Sequence, residues 1–584
     1  MINKTQTINA ILLLYLTASA AFAEVSISGL PAEARNNVLL MLSLKKERCD
    51  APEWKIRGLF DDADQEIDQA LRALGYYHAV ATKSLNINDK CWQAGFTIEP
   101  GPQTVINEIS ITVTGDAADD AGFQKLREKL LLKRGNPLRH DQYESMKNRI
   151  SSLAIEQGYL QAEFTEKKLL IDKDHNTAQI ILVFAAGKRM LFGDVVVNQQ
   201  VLEPAFVEKY LDIKSGEFYT GERLANTYTA LSNSGYFDSI DIRPDTQHID
   251  NQRVPVTISL QPKSKHHYAF GAGFDTDIGP LGSATYINRR LNRRGHFLTS
   301  NIDLSPVLST ADVEYTVPLA NPINDAFSFG GGLKYEDTNS YRSDTGKLSA
   351  RLKHAFGNGW KQTLFIDYSY EDFDTGTSKG RTLVLAPGAS WLRSVSDNLL
   401  RPTKGYRVQF DAGGSYKNPL SEVSFLQGAL SAVWILPAPW NKWGNKPGND
   451  SGKWIARTEL GATLVEPFDK LPTTYRFYAG GINSVRGYAY KELGPKDSLG
   501  SVEGGTFLSV FSIEYEHAIL EDWGIAAFVD TGNAFRLNDV QLKTGVGLGA
   551  RWYSPIGPVR VDLALPLDES DSSFQVHFAA GTRL

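Results

Sequence analysis

One short pattern, a glycine followed by a tyrosine, occurs three times in the first half of this chain. The copies run over Leu74–Val80, Gln157–Glu163 and Ser234–Ile240. Their glycines, about 80 residues apart, are Gly75, Gly158 and Gly235. A repeat at a nearly fixed period indicates an array of small modules, each of them one supersecondary unit. The chain is therefore predicted to begin with three similar modules and not with one large domain.

The residues around each copy predict an α+β module. Apolar side chains at helical spacing precede the glycine, as in Ile67, Leu71 and Leu74 of the first copy. The glycine is predicted to end the helix, because a left-handed C-cap favours a residue without Cβ. An aromatic-rich strand follows, and a second strand closes each module. These closing segments are Phe96–Gly101, Ala178–Gly187 and Val254–Pro262.

The first residues resemble a secretory signal. Lys4 precedes an apolar run from Ile8 to Leu16, and small residues end the stretch at Ala21-Phe22-Ala23. The run is too short for a bilayer span, and the A-x-A pattern predicts cleavage after Ala23. Residues 1–23 are therefore predicted to be a signal peptide, with a buried N-terminal helix as the alternative.

The two cysteines, Cys49 and Cys91, both lie in the first module. In an exported protein such a pair indicates a disulfide, and neither cysteine has the neighbouring ligands that a metal site needs. The 61 basic residues nearly balance the 67 acidic ones, and no basic block favours nucleic acid as a partner.

From about His266 to Leu584 the pattern changes to strand after strand. Phe327, Phe329 and Leu333, for example, alternate with polar or small residues, which sends the two sets to opposite faces of a sheet. Alternation alone also fits a soluble sandwich or propeller. The length, the aromatic enrichment and the charged second set favour a transmembrane barrel of about 16 strands, which the segment Phe574–Leu584 would close.

The most specific short segment of this half is Gly480–Tyr488, which contains Val485-Arg486-Gly487-Tyr488. Its arginine lies on a glycine-rich loop that could fold inward, and a buried guanidinium needs carboxylate partners. The candidate partners in later strands are Asp530, Asp562, Glu514 and Glu516. From spacing alone, an unpaired arginine in a solvated loop is an equal alternative.

No catalytic constellation is found in the sequence. Gly545–Ala550 has the glycine spacing of a dinucleotide loop, but no strand–turn–helix unit surrounds it. His266 and His267 lack a third metal ligand nearby, and no nucleophile elbow occurs. We therefore expect a protein that is not an enzyme and that needs no cofactor.

Three motifs in order resemble the outer-membrane assembly superfamily, in which POTRA (polypeptide-transport-associated) modules precede a barrel. They are Val485–Tyr488, Phe528–Asn533 and Gly547–Leu567. The resemblance implies three βααββ POTRA modules, followed by an all-β transmembrane barrel of about 16 antiparallel strands. The implied boundaries are 24–103, 104–187 and 188–264 for the modules and 265–584 for the barrel. It also implies that Arg486 reaches into the lumen towards Asp530 and Asp562.

Three modules with a cysteine pair in the first resemble the translocation-and-assembly-module branch of that superfamily. The resemblance implies an outer-membrane protein with periplasmic modules that inserts autotransporters and other β-barrel clients. It further implies a TamB-like partner, anchored in the inner membrane and spanning the periplasm, and contact with outer-membrane lipid. The final residue, Leu584, departs from the aromatic residue with which such barrels usually end.

The first and last barrel strands are predicted to meet at a weak lateral seam. Both contain interior glycines, Gly271 and Gly273 in the first strand and Gly581 in the last, where side-chain contacts would otherwise strengthen pairing. The alternative is that these glycines only relieve crowding. Two other functions also remain open, a polypeptide-secretion pore and a docking module for lipid transport.

Overall fold

The computed structural model describes residues 23–88, 91–129, 132–375, 378–398, 401–438, 452–498, 500–554, 557–569 and 573–580. Residues 1–22 lie outside this set, so the signal peptide stays a prediction. The chain divides into two compact units, which are described separately. The first comprises residues 1–196, 213–225 and 243–257, and the second 197–212, 226–242 and 258–584.

The first module contains a three-stranded sheet and two helices. Its elements are β1 Glu24–Ser28, α1 Ala32–Met41, α2 Glu53–Arg72, β2 Val80–Asn88 and β3 Cys91–Glu99. The strand order is β1-β3-β2, with β1 and β3 parallel and β2 and β3 antiparallel. Cys49 and Cys91 form the expected disulfide, which joins the segment before α2 to the start of β3. Helix α2 ends at Arg72, so Leu74 follows the helix but still packs in the module core.

The second and third modules repeat this order. The second consists of β4 Val105–Thr114, α3 Ala121–Glu128, α4 His140–Gln157, β5 Glu163–Asp172 and β6 Thr177–Ala185. The third consists of β7 Leu191–Asn198, α5 Pro204–Val207, α6 Gly221–Asn233, β8 Phe237–Pro244 and β9 Arg253–Pro262. In both sheets the last strand lies in the middle, with orders β4-β6-β5 and β7-β9-β8. Among the described residues, no helix is long and apolar enough to cross a membrane.

Gly75, the first repeated glycine, lies at the joint between modules one and two. Its φ is +86°, the left-handed region that favours glycine, and its carbonyl accepts a hydrogen bond from Thr104 N at 2.9 Å. Thr104 O in turn accepts from Leu138 N at 2.8 Å. A Cβ on Gly75 would lie 2.6 Å from Leu138 O, well inside contact distance. The glycine therefore ends a helix and also lets the next module approach.

Gly158 repeats this arrangement at the following joint. Its φ is +89°, its carbonyl accepts from Met190 N at 2.9 Å, and Tyr219 N donates to Met190 O at 3.0 Å. A Cβ on Gly158 would lie 2.3 Å from Tyr219 O. Gly235 also has a positive φ, +77°, but nothing lies within 4 Å of its would-be Cβ. The sequence repeat thus marks two tight joints and one unobstructed helix end.

The second half is a single sheet of 16 strands, which confirms the predicted barrel. Strands adjacent in sequence pair in antiparallel fashion, in the order β10 to β25. Their bounds are β10 His266–Asp275, β11 Gly279–Asn288, β12 Phe297–Leu304, β13 Leu308–Pro318, β14 Asp325–Asp337, β15 Arg342–Ala355, β16 Lys361–Asp374, β17 Lys379–Ser396, β18 Gly405–Ser415, β19 Phe425–Pro437, β20 Gly452–Val465, β21 Phe507–Ala518, β22 Trp523–Phe535, β23 Lys543–Ser554, β24 Gly557–Pro566 and β25 Gln575–Ala580.

The two faces of this sheet differ as the alternation predicts. On β21 and β22, Ile513 and Val529 are more than half exposed, whereas their neighbours Glu514 and Asp530 are buried. Large apolar residues on the outer face suit a hydrocarbon environment, and a polar inner face suits a lumen. The burial of the inner polar residues requires partners inside the barrel, and a long loop supplies them.

Candidate functional site in the barrel lumen

Residues 466–506, between β20 and β21, form a loop that folds into the lumen; within it, residue 499 is not described. Its tip is residues 480–488, where Gly480, Gly481 and Gly487 all have φ near +100°. Val485 and Tyr488 at the tip are 0% and 1% exposed. The glycine-rich segment therefore makes a tight turn that a chain of L-residues could not adopt without strain.

Arg486 of this tip contacts three carboxylates on three strands. Nε and Nη2 donate to the two oxygens of Asp530 at 2.7 and 2.9 Å. Nη1 donates to Glu514 Oε2 at 2.8 Å and to Asp562 Oδ2 at 3.0 Å. Arg486 and Asp530 are fully buried. The structure thus brings Arg486 together with three of its four candidate partners, which are Asp530, Asp562 and Glu514.

A backbone hydrogen bond and an aromatic ring also hold Arg486 in place. Its backbone N donates to Asp530 Oδ2 at 3.1 Å, so this carboxylate holds both the main chain and the side chain of the tip. The guanidinium lies 3.3 Å from the centroid of the Phe528 ring. Cation–π attraction strengthens when the cation is desolvated, as it is here. The planar fork of arginine suits this combination better than a lysine ammonium would.

Further arginines balance the buried negative charge. Arg551 donates to Glu514 Oε1 at 2.8 Å and to Asp562 Oδ1 at 2.5 Å. Arg457 lies 3.8 Å from Asp530 Oδ1. Each of the three carboxylates that bind Arg486 therefore also contacts a second arginine, which is the pairing that buried charges require. Glu516, also a predicted partner, contacts Lys453 at 3.2 Å, and no contact with Arg486 is seen among the described residues.

The glycines of β23 make room for this network. Gly545 lies opposite Asp530, and Gly549 lies opposite Asp562. A Cβ on Gly545 would lie 1.8 Å from Arg486 O, and one on Gly549 would lie 1.9 Å from Asp562 Oδ1. The Gly545–Ala550 segment, which has the glycine spacing of a dinucleotide loop, lies within strand β23. Because these glycines carry no side chain on the inner face of β23, the loop tip can pack against the strand there.

A second anchor, which the sequence did not indicate, holds the loop to the opposite wall. Lys491 Nζ donates to Glu336 Oε1 at 2.6 Å and to the Tyr341 hydroxyl at 2.5 Å. Glu336, at the end of β14, is 1% exposed and also accepts from Lys334. No local pattern signals this contact, because its partners are about 150 residues apart.

The first and last strands of the barrel meet at a sparsely bonded seam. Among the described residues the two strands share no ladder, and three hydrogen bonds join Thr276, the residue after β10, to Phe578 of β25. The Phe274 and Phe578 rings pack 5.9 Å apart beside these bonds. By contrast, β13 and β14 pair along 11 positions. Counted over the described residues, which end at Ala580, this junction between strands has the fewest hydrogen bonds in the barrel.

The three glycines predicted at the seam are Gly271, Gly273 and Gly581. Gly271 and Gly273 lie in the interior of β10, whereas Gly581 lies outside the described residues. A Cβ on Gly273 would meet nothing within 4 Å, and one on Gly271 would meet only the Ser283 side chain. Among the described surroundings, Gly273 is therefore free of close neighbours, whereas a Cβ on Gly271 would crowd Ser283 Oγ at 2.4 Å.

Taken together, these features define an outer-membrane β-barrel that follows periplasmic POTRA modules and has a loop folded into its lumen. A model described as Omp85 superfamily domain matches residues 290–584. The chain belongs to the Omp85 superfamily. Models described as POTRA domain TamA domain 1 and Surface antigen variable number repeat match residues 24–100 and 191–263.

Individual relatives are distant. The chain is 24% identical over 446 residues to the outer membrane protein assembly factor BamA of Nitratidesulfovibrio vulgaris, which covers 72% of this chain and 54% of that protein. It is 20% identical over 404 residues to BamA of Neorickettsia risticii, covering 64% and 51%. The chain thus spans about half the length of these relatives. The crystal structure of Haemophilus ducreyi BamA lacking POTRA domains 1–3 shares the fold, with a TM-score of 0.65, 16% identity, and coverage of 82% of this chain and 99% of that one.

Proposed function

We propose that this protein is a non-enzymatic assembly factor that promotes the insertion or secretion of autotransporters and other β-barrel proteins at the outer membrane. The observation that carries the proposal is the seam, where the described residues of the first and last strands share no ladder and three hydrogen bonds join Thr276 to Phe578. A client strand cannot enter hydrocarbon with unpaired N–H and C=O groups. A seam that opens sideways offers such a strand two edges with which to pair.

A finer proposal is that the protein is TamA-like and works with a TamB-like, periplasm-spanning partner. It is supported by the match of residues 24–100 to the TamA domain 1 model. The presence of three modules, with the Cys49–Cys91 disulfide in the first, supports the same branch. Affinity capture of the full-length protein from detergent-solubilised envelopes tests it, because a TamA-like protein should retain one large inner-membrane-anchored partner.

The lumenal loop favours an assembly factor over a secretion pore. Ionic contacts hold the loop on both sides of the lumen, buried at Arg486 and partly buried at Lys491. A pore that conducts an unfolded polypeptide would have to break all of them. Single-channel recordings separate the two functions, because an assembly factor should show low resting conductance and a secretion pore a large open one.

A disulfide lock tests lateral opening. Thr276 lies opposite Phe578, so the antiparallel register places Asp275 opposite Ala579. Asp275→Cys with Ala579→Cys, in a background in which Cys49 and Cys91 are replaced by serine, should block client insertion when oxidised and restore it on reduction. The matched control is Thr363→Cys with Ser390→Cys, which bridges the fully paired strands β16 and β17. Normal insertion with the seam locked would refute the proposal.

A further inference from the structure

The loop tip contacts both sides of the seam at once. Ile482 N donates to Asp277 Oδ2 at 2.9 Å, and Asp277 lies in the turn that follows β10. Five residues further along the tip, Gly487 N donates to His577 Nε2 at 3.0 Å, and His577 lies on β25. The side chains of Asp277 and His577 are 9% and 4% exposed. Two backbone amides of one short turn are thus bonded to the two edges of the seam.

The two receiving side chains also face each other. His577 Nδ1 lies 3.9 Å from Asp277 Oδ1. Because Nε2 accepts from Gly487 N, the neutral ring carries its proton on Nδ1, which faces the carboxylate. An aspartate, a histidine and the loop backbone therefore form one buried cluster that spans the seam from the lumenal side.

Hydrogen bonds within the tip fix its shape, so the tip cannot stay bonded to both strands when they separate. Gly481 N donates to Tyr488 O and Ser484 N donates to Gly481 O, which closes the turn on itself. Asn483, in the same turn, accepts hydrogen bonds from Arg457 and Arg560. Parting β10 from β25 must then break the bond at Ile482 or the bond at Gly487. Either break leaves a buried N–H group unpaired, which is costly in a dry site.

We propose that the loop tip is an internal clasp of the lateral seam, with Asp277 and His577 as the positioning residues that fasten it to the two edges. This inference rests on the proposed function, because a clasp matters only if the seam opens. In it the loop does more than fill the lumen. Its release from Asp277 or His577 is the step that frees the edges for a client strand.

The test measures the seam directly, in full-length protein in lipid nanodiscs and without any client. Spin labels on Phe270→Cys and Val576→Cys, both exposed on the outer face, report the distance across the seam. Asp277→Ala and His577→Leu should each raise the open fraction several-fold. The double variant should open little more than either, since one broken side already releases the clasp.

Two controls separate a clasp from general loosening. Asp277→Asn keeps an acceptor for Ile482 N and should keep the seam closed. Ser340→Ala removes another bond between a barrel side chain and the loop backbone, donated by Ser340 Oγ to Lys491 O at 2.6 Å on the opposite wall, and should also leave the seam closed. An open fraction that stays unchanged in Asp277→Ala and His577→Leu, or that rises equally in Ser340→Ala, would overturn the proposal.

Hydrogen exchange in the unaltered protein gives an answer even if a variant fails to fold. A clasp predicts that peptides covering residues 480–488 and 575–580 become exchangeable at the same rate, because one opening event exposes both. Fast exchange in β25 with a protected tip would exclude the clasp and leave lateral insertion untouched. Conversely, the clasp could open as described while clients are still inserted by protein whose seam is locked. That result would refute the proposed function and leave the clasp in place.

Discussion

Arg486 and Asp530 meet inside the barrel through two parallel hydrogen bonds, in which Nε lies 2.7 Å from Oδ2 and Nη2 lies 2.9 Å from Oδ1. Such a bidentate pair fixes orientation as well as distance. Since Asp530 also accepts from the backbone N of Arg486, the pair determines where the whole loop tip is seated. The position of the clasp at the seam therefore depends on this contact.

Removing either member should destabilise the barrel. Arg486→Ala leaves three carboxylates without their shared partner. Asp530→Ala leaves Arg486 with two of its three carboxylate partners. Truncating one side of a buried pair costs about 3–5 kcal/mol of unfolding free energy. Thermal unfolding monitored by heat-modifiable gel mobility should show both losses, and the double variant should lose little more than either single one.

The matched control is a partly exposed pair. Arg536 and Glu503 are 2.7 Å apart, with side chains 44% and 22% exposed, and such pairs contribute at most about 1 kcal/mol. Arg536→Ala should therefore unfold close to the original temperature. Strictly additive losses for Arg486→Ala and Asp530→Ala would show that the two residues do not act together.

The bare inner face of β23 gives a second prediction. Gly545→Ala places a methyl group where Arg486 O now lies, 1.8 Å from the ideal Cβ position, so the loop tip must lift or the strand must shift. We expect weaker loop docking, measured as faster proteolysis within residues 480–498 of the folded barrel. Gly282→Ala on β11 is the control, because nothing lies within 4 Å of its Cβ. Equal protection of the loop in both variants would contradict the seating role of Gly545.

The disulfide of the first module gives a third prediction. Cys49 and Cys91 are 42 residues apart in sequence, and closing a loop of that size should stabilise the module by about 3–4 kcal/mol in the chain-entropy model. Replacing both cysteines by serine should lower the unfolding temperature of the periplasmic part and leave that of the barrel in place. Calorimetry of the full-length protein resolves the two. Free thiols in protein taken from an oxidising periplasm would contradict the pairing.

The parts of the site that depend on regular periodicity could be predicted from the sequence. The alternation of β21 placed Glu514 on the inner face, and the resemblance motifs connected Arg486 with Asp530. Sequence reasoning did not reach the contact of Lys491 with Glu336, because that contact depends on how a long irregular loop crosses the lumen. The same holds for Gly487 and His577, which lie 90 residues apart.

The repeated glycines show the same limit at the level of the modules. The pattern around Gly75 and Gly158 correctly predicted helix ends, since a left-handed C-cap is a local property of the chain. Their second role arises from a carbonyl far along the sequence, Leu138 O in one case and Tyr219 O in the other. Local spacing carries no information about such an approach, so the joints could not be predicted.

The last prediction concerns these joints and compares the three glycines directly. All have positive φ, so alanine at any of them costs about 1–2 kcal/mol from backbone strain alone. Gly75→Ala and Gly158→Ala also drive a methyl group into a carbonyl of the next module, whereas Gly235→Ala meets nothing. Thermal unfolding of the full-length protein should therefore rank Gly235→Ala as the mildest. Spin labels on Leu40→Cys and Ile155→Cys, exposed residues of the first two modules, should show a changed or broadened distance for Gly75→Ala. If the distance is unaltered and all three substitutions destabilise the protein equally, the repeated glycines serve only to end helices.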